Sequence, residues 1–173
     1  MQTHLVLTVI GRDRPGLVNA VSETVAAGGG NWLDTRMASL AGQFAGILLV
    51  EVARDKADAL VAALKQLETQ GLRVMIEKSE GGAPARARKL TLDLLGLDRP
   101  GIVREISRLL ASRQVSIVEL ETEQVSGSFS GEAMFKARAE LETPVGLDMN
   151  ELRDALEGIA SKLMVDLNLA DAA

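Results

Sequence analysis

Gly11-Arg12-Asp13-Arg14-Pro15-Gly16-Leu17-Val18 returns further along the chain as Gly96-Leu97-Asp98-Arg99-Pro100-Gly101-Ile102-Val103, an offset of 85 residues from Gly11 to Gly96. Carried on without a gap, the same offset pairs Leu5 with Leu90, Leu7 with Leu92, Ser22 with Ser107 and Ala26 with Ala111. It then pairs Gly42 with Gly127, Phe44 with Phe129 and Gly46 with Gly131. Agreement kept in register over about 45 residues marks an internal duplication, and two like domains follow. Between them, Ser79 to Arg88 has no apolar periodicity and carries two glycines and a proline, the composition of a short linker. The expected boundaries are 1–80 for the first domain, 81–88 for the linker and 89–173 for the second.

Each repeat reads as strand, helix, strand, strand, helix, strand. Leu5, Leu7 and Val9, like Leu90, Leu92 and Leu94, sit at period two and give a first strand with one apolar face. Helices follow over Gly16 to Ala27 and Gly101 to Arg113, with Leu17, Val18, Val21 and Val25, and then Ile102, Val103, Ile106 and Leu110, expected to face the core. Gly28-Gly29-Gly30 ends the first of these sharply, and Gln114 and Val115 end the second. Hairpins are expected over Asn31 to Leu40 with Phe44 to Val52, and over Ser116 to Val125 with Phe129 to Ala139, turning at Ala41-Gly42 and Ser126-Gly127. Ala59, Leu60, Ala63, Leu64 and Leu67 predict the next helix, and Leu152, Leu156 and Ile159 its counterpart. Closing strands are expected over Leu72 to Lys78 and Leu163 to Leu169. This βαββαβ order predicts an α+β fold: two ferredoxin-like plaits, each a four-stranded antiparallel sheet with two helices on one face.

The helix-free faces differ. Alternation puts Val6, Thr8, Ala45, Ile47, Leu49 and Met75 on the first. It puts Thr91, Asp93, Ser130, Glu132, Met134 and either Met164 or Asp166 on the second. The first face is much the more apolar, which predicts that it packs on another domain or protomer.

Composition narrows the chemistry. The chain has 173 residues, 47% hydrophobic and 25% charged, ordinary globular proportions. No apolar run reaches the 18 or so residues of a membrane span, and Met1-Gln2-Thr3-His4 lacks the basic start of a secretory signal, so a soluble cytoplasmic protein is expected. Without cysteine, thiolate metal sites and cysteine nucleophiles are excluded, and the single histidine, His4, reads as an exposed strand residue. A net charge of -5 and 2% aromatics argue against a nucleic-acid surface. No catalytic residue, metal site or cofactor is expected.

The repeated loop can hold a small zwitterion. Proline presets the first helical turn, and the glycine after it lets backbone approach whatever lies at the helix start. The free amides there, with the helix dipole, suit one carboxylate. Asp13 or Asp98, just upstream, can accept from an ammonium group. Those are the two ends of a free α-amino acid, although Asp-x-Pro-Gly is also a good turn and cap. Arg14 and Arg99 read as solvated loop charges rather than carboxylate clamps.

The plait order, the GRDRPGLV and GLDRPGIV loops and the repeat length resemble ACT domains, small regulatory modules that bind amino acids. Two in tandem over nearly the whole chain are similar to the glycine cleavage system transcriptional repressor family. That resemblance implies a non-enzymatic protein that senses glycine or a related amino acid and acts on a separate DNA-binding transcriptional activator, without touching DNA or membrane, as a homo-oligomer. It maps ligand contacts to Asp13, Pro15, Gly16 and Leu17, to Asp98, Pro100, Gly101 and Ile102, and to Asn31 and Ser116 at the start of the second strand. Serine supplies one short hydroxyl where asparagine offers donor and acceptor, a departure in the second repeat.

Other readings have less behind them. An acylphosphatase-like enzyme would resemble a different, amide-rich loop with a basic anchor and a catalytic asparagine. Glu119, Glu121 and Glu123 lie at period two with no histidine or cysteine near and read as a solvated strand edge. A recognition helix over Gly101 to Arg113 would carry Arg104, Arg108 and Arg113 but also Glu105, and its apolar stripe belongs to the core. A ligand-free protein–protein adaptor fits the apolar first face equally well.

Overall fold

The structure is a computed structural model that describes residues 1–79, 88–127 and 131–172. Contacts divide the chain into Met1–Gly82 and Ala83–Ala173. The first unit runs β1 (Gln2–Arg12), α1 (Leu17–Ala27), β2 (Asn31–Leu40), β3 (Gln43–Ala53), α2 (Ala57–Lys65) with a 3₁₀ turn Gln66–Gln70, and β4 (Leu72–Ser79). The second runs β5 (Arg88–Leu97), α3 (Ile102–Ser112), β6 (Ser116–Ser126), β7 (Ala133–Thr143), α4 (Met149–Leu163) and β8 (Val165–Asp171). The sheets order as β2-β3-β1-β4 and β6-β7-β5-β8, every neighbour antiparallel. Both are the plaits expected from the strand and helix order. Apart from Arg88, which opens β5, the expected linker 81–88 lies outside the described residues.

Each unit closes its own core. Leu5, Leu7 and Val9 of β1 are fully buried with Val21 and Val25 of α1, Leu48 and Val50 of β3, and Leu60 and Leu64 of α2. Leu90, Leu92, Ile102, Leu110, Leu141, Leu152 and Leu156 do the same in the second unit. Burying such side chains at about 1.5–3 kcal/mol each is what holds these small units together.

Several sequence expectations shift. Val18 and Val103, placed in the core by helical spacing, are 46% and 42% exposed: they flank the buried stripe instead of lying in it. Ala59 and Ala63 are exposed too, and α2 buries Ala57, Leu60 and Leu64, one turn apart on the other face. Leu163 ends α4 instead of opening the last strand, because Met164 takes the left-handed conformation and breaks the helix there. The two α1-type helices end alike, with Gln114 left-handed where the first unit has Gly29 and Val115 donating to the Leu110 carbonyl as Gly30 does to Val25.

The largest correction concerns the second hairpin. β1 pairs Gly11 with Phe44, and β5 pairs Gly96 with Phe135, so the counterpart of Phe44 is Phe135 and the gapless match to Phe129 fails. Extra residues between β6 and β7 lengthen the turn, where the Gly127 amide donates to the Glu132 carbonyl at 2.8 Å. Hence β7 starts at Ala133. Residues 128–130 lie outside the described part of the chain, so the positions given to Phe129 and Ser130 are not among the structural findings. The counterparts of Ala45, Ile47 and Leu49 are Lys136, Arg138 and Glu140, in place of Ser130, Glu132 and Met134. The counterpart of Met75 in β8 is Asn168, since Thr8 pairs with Met75 and Asp93 with Asn168; the expected Asp166 stands one outward place earlier, opposite Leu95, and Met164 lies before the strand.

The contrast between faces therefore sharpens. Ile47 and Met75 are 51% and 69% exposed on the first outer face. On the second, Lys136 pairs with Glu123 at 2.9 Å, and Arg138 lies 3.9 Å from Asp93.

One exposed ion pair ties the open end of the second sheet. Arg88 of β5 reaches Asp171 of β8, which stands opposite Leu90, in a two-pronged contact, Nη2 to Oδ2 being 2.7 Å. These hydrogen bonds, foremost, hold the Asp171 carboxyl below its ordinary pKa. A lowered folded pKa gives a contribution present above the unfolded value of about 4 and lost as pH falls through the folded one. Asp171→Asn should therefore lower the urea midpoint slightly at pH 7 and by less at about pH 2. An equal difference at both pH values would contradict this.

Candidate functional site

The repeated loop joins β1 to α1, and β5 to α3, and three contacts pin each copy. The Asp13 amide donates to the Gly42 carbonyl in the hairpin turn at 3.0 Å, and the Asp98 amide donates to the Ala133 carbonyl at 2.9 Å. The carboxylates are held from the end of the neighbouring hairpin strand: Ser39 Oγ donates to Asp13 Oδ2, and Gln124 Nε2 donates to Asp98 Oδ2, each at 2.5 Å. Arg14 Nη2 donates to the Gln70 carbonyl at 2.7 Å, and Arg99 Nη2 to the Lys162 carbonyl at 3.2 Å. Both carbonyls close a helical segment, where acceptors lack intrahelical partners and a cation meets the negative end of the dipole. Arg14 and Arg99 are thus loop clasps rather than free charges.

Beyond the clasps, the loop presents its binding groups. Gly16 and Gly101 stand at φ 91° and 98°, left-handed, and precede their helices with no side-chain cap. A residue with Cβ would pay about 1–2 kcal/mol there, which is why proline is followed by glycine in both copies. The first-turn amides of α1 are left without a capping side chain, and α1 carries no acidic residue in that turn, whereas α3 carries Glu105. Among the described residues, Asp13 Oδ1 and Asp98 Oδ1 accept no hydrogen bond. Leu17 and Ile102 are buried in the core, so only their backbone is available to a ligand. Pro15 and Pro100 are exposed beside them.

Asn31 and Ser116 are not brought to these loops within their own units. Asn31 opens β2 opposite Glu51, while Ser39, which holds Asp13, lies near the other end of the strand. At about 3.3 Å per residue that puts about 26 Å between them. Ser116 and Gln124 are separated in the same way along β6. Asn31 instead heads a polar row across the outer face, Asn31, Glu51, His4 and Ser79, in which His4 Nε2 lies 3.7 Å from Glu51. His4 is half-buried, not exposed.

Ser39 and Gln124 escaped the sequence reading, although a signal was there. Each stands 26 residues after its motif aspartate, at the same place in both repeats, and each is a polar residue able to donate. A groove of about 800 Å³ between α1 and α2 reaches the loop only through Gln70. Its lining mixes small side chains such as Ala26, Ala27, Ala59 and Ala63 with Glu23, Thr24, Lys56 and Gln66. No three acidic or histidine side chains among the described residues are grouped to hold a metal ion, and no described helix is long and apolar enough to cross a membrane.

Comparison with known proteins places these units. The family model "ACT domain" matches residues 3–77. The chain is 24% identical over 164 residues to the glycine cleavage system transcriptional repressor of Escherichia coli, covering 94% of this chain and 86% of that one. It is 35% identical over 69 residues to a UPF0237 protein of Methanocaldococcus jannaschii, covering 40% of this chain and 76% of the relative. Among solved structures, an unknown protein from Galdieria sulphuraria matches over the full length of both chains with TM-score 0.88 and 29% identity. A candidate glycine cleavage system transcriptional repressor matches 99% of this chain and 98% of its own with TM-score 0.73, and at 22% identity it speaks for the fold alone.

Proposed function

The chain belongs to the ACT-domain family, its first unit matching the family model and its second repeating the same plait, and on that premise we propose that it is a non-enzymatic amino-acid sensor whose ligand is glycine or a similarly small amino acid. The observation that carries this reading is the pinned loop. A fixed carboxylate with one oxygen unused stands just before an uncapped helix start, matching the ammonium and carboxylate ends of an amino acid. In this reading Asp13 and Asp98 take the ammonium group, and the backbone at Gly16–Leu17 and Gly101–Ile102 takes the carboxylate, with Pro15 and Pro100 shaping the turn. Asn31 and Ser116 join only if a loop from another module or copy reaches the far end of their strands. The sensor would act on a separate DNA-binding activator of glycine cleavage genes. The name of the Escherichia coli relative supports the transcriptional setting, and the net charge of -5 disfavours direct contact with DNA.

A thermal-shift panel of free amino acids, followed by calorimetry, tests it. Glycine should raise the melting temperature saturably, and Asp13→Ala should weaken binding about tenfold or more, the loss of a charged hydrogen bond worth about 1.5–3 kcal/mol. No shift for any amino acid at millimolar concentration would defeat the proposal. One observation favours a second reading, a ligand-free adaptor: the apolar outer face of the first unit, with Ile47 and Met75 more than half exposed. That face also supports assembly into a homo-oligomer.

A further inference from the structure

Ser39 and Gln124 occupy equivalent places and do the same job with different chemistry. Each donates to the Oδ2 atom of its motif aspartate, leaving Oδ1 for a ligand. A carboxylate only accepts, so the amide nitrogen of Gln124 must face Asp98 and its Oε1 is turned away from it. Ser39 spends its single proton on Asp13 and retains only hydroxyl lone pairs on a one-atom arm. Gln124 keeps a second N–H and a carbonyl oxygen on a longer arm, beside the free oxygen of Asp98. Both residues are exposed, and both lie on the strand end next to the hairpin that also binds the aspartate amide. The two loops therefore offer the same carboxylate with unlike neighbours.

From this we infer that Ser39 and Gln124 set the specificity of the two loops: the Gln124 loop favours an amino acid whose side chain can hydrogen-bond, and the Ser39 loop is indifferent to it. The inference rests on the sensor reading above and deepens it. Ser39 and Gln124 are positioning residues toward the aspartate, and only Gln124 keeps both a donor and an acceptor, on a longer arm, to read the ligand. A hydrogen bond to a neutral partner is worth about 0.5–1.5 kcal/mol net, which corresponds to a preference of about 2- to 12-fold.

Calorimetry with glycine and serine on the full chain separates the outcomes. Asp13→Ala isolates the second loop and Asp98→Ala the first. The serine-to-glycine affinity ratio should be several-fold higher in Asp13→Ala than in Asp98→Ala. Adding Gln124→Ser to Asp13→Ala should bring the ratio down to that of the first loop, and adding Ser39→Gln to Asp98→Ala should raise it. A purely structural role would change melting temperature or both affinities together and leave the ratio alone. An unchanged ratio with binding intact overturns this inference and spares the sensor reading. Absence of saturable binding to the wild-type protein overturns both.

Discussion

Truncating Leu60 to alanine should destabilise the first unit by about 2–5 kcal/mol, the cost of a fully buried leucine that leaves a cavity behind. Leu60 is 0% exposed at the centre of α2. It lies directly over the α1–β2 turn, where a Cβ placed on Gly28 would come within 2.6 Å of its Cδ1 and one on Gly30 within 3.1 Å of its Cδ2. The missing side chains at Gly28 and Gly30 are filled by Leu60, so nothing nearby can collapse into the space it would vacate. The chain contains a single tryptophan, Trp32, and it packs against the first core. Its fluorescence in a urea titration thus reports this unit. The fluorescence midpoint should fall sharply in Leu60→Ala and hold in Leu156→Ala, whose effect should appear in far-ultraviolet circular dichroism. Equal movement of the fluorescence midpoint in both variants would mean that the cores do not unfold as separate units.

Gly11→Ala and Gly96→Ala should each cost about 1–3 kcal/mol by overpacking. A Cβ on Gly11 would stand 2.7 Å from the Gly71 carbonyl oxygen and 3.2 Å from Leu72 Cδ1. On Gly96 it would meet Val165, 2.9 Å from its Cβ and 3.0 Å from its Cα. Backbone cannot swing aside as a flexible side chain can, so the last strand of each unit must move. For units of this size the expected loss is on the order of 4–8 °C in melting temperature per kcal/mol. The close approach explains why each motif opens with glycine. Because Asp13 and Asp98 follow two residues later, glycine affinity should fall along with stability. Variants that melt with the wild-type protein would show that β4 and β8 yield freely at these points.

Leu5, Leu7 and Val9, with Leu90, Leu92 and Leu94, declare their strands because alternation with a period of two follows from local backbone geometry alone. The duplicated loop likewise announces its turn, since proline and glycine fix conformation residue by residue. These local rules sufficed for the number of units, the order of their elements and the plait they form. Across a turn, local rules lapse. A longer connection between β6 and β7 moved the pairing of β7 and exchanged the residues on its outer face, because register depends on where the returning strand closes and not on its own alternation.

The candidate site divides along the same line. Sequence by itself determined the twin Gly-x-Asp-Arg-Pro-Gly loops and the helices behind them, whereas the left-handed conformation of Gly16 and Gly101, just outside those helices, came from the structure. Tertiary structure alone decided that Ser39 and Gln124 grip the aspartates, that Arg14 and Arg99 clasp carbonyls at Gln70 and Lys162, and that Asn31 lies at the opposite end of its strand. The reason is separation along the chain. The gripping and clasping partners stand 26 to 63 residues apart, and such pairs meet only when sheet and helices close around a common core, which no local propensity encodes.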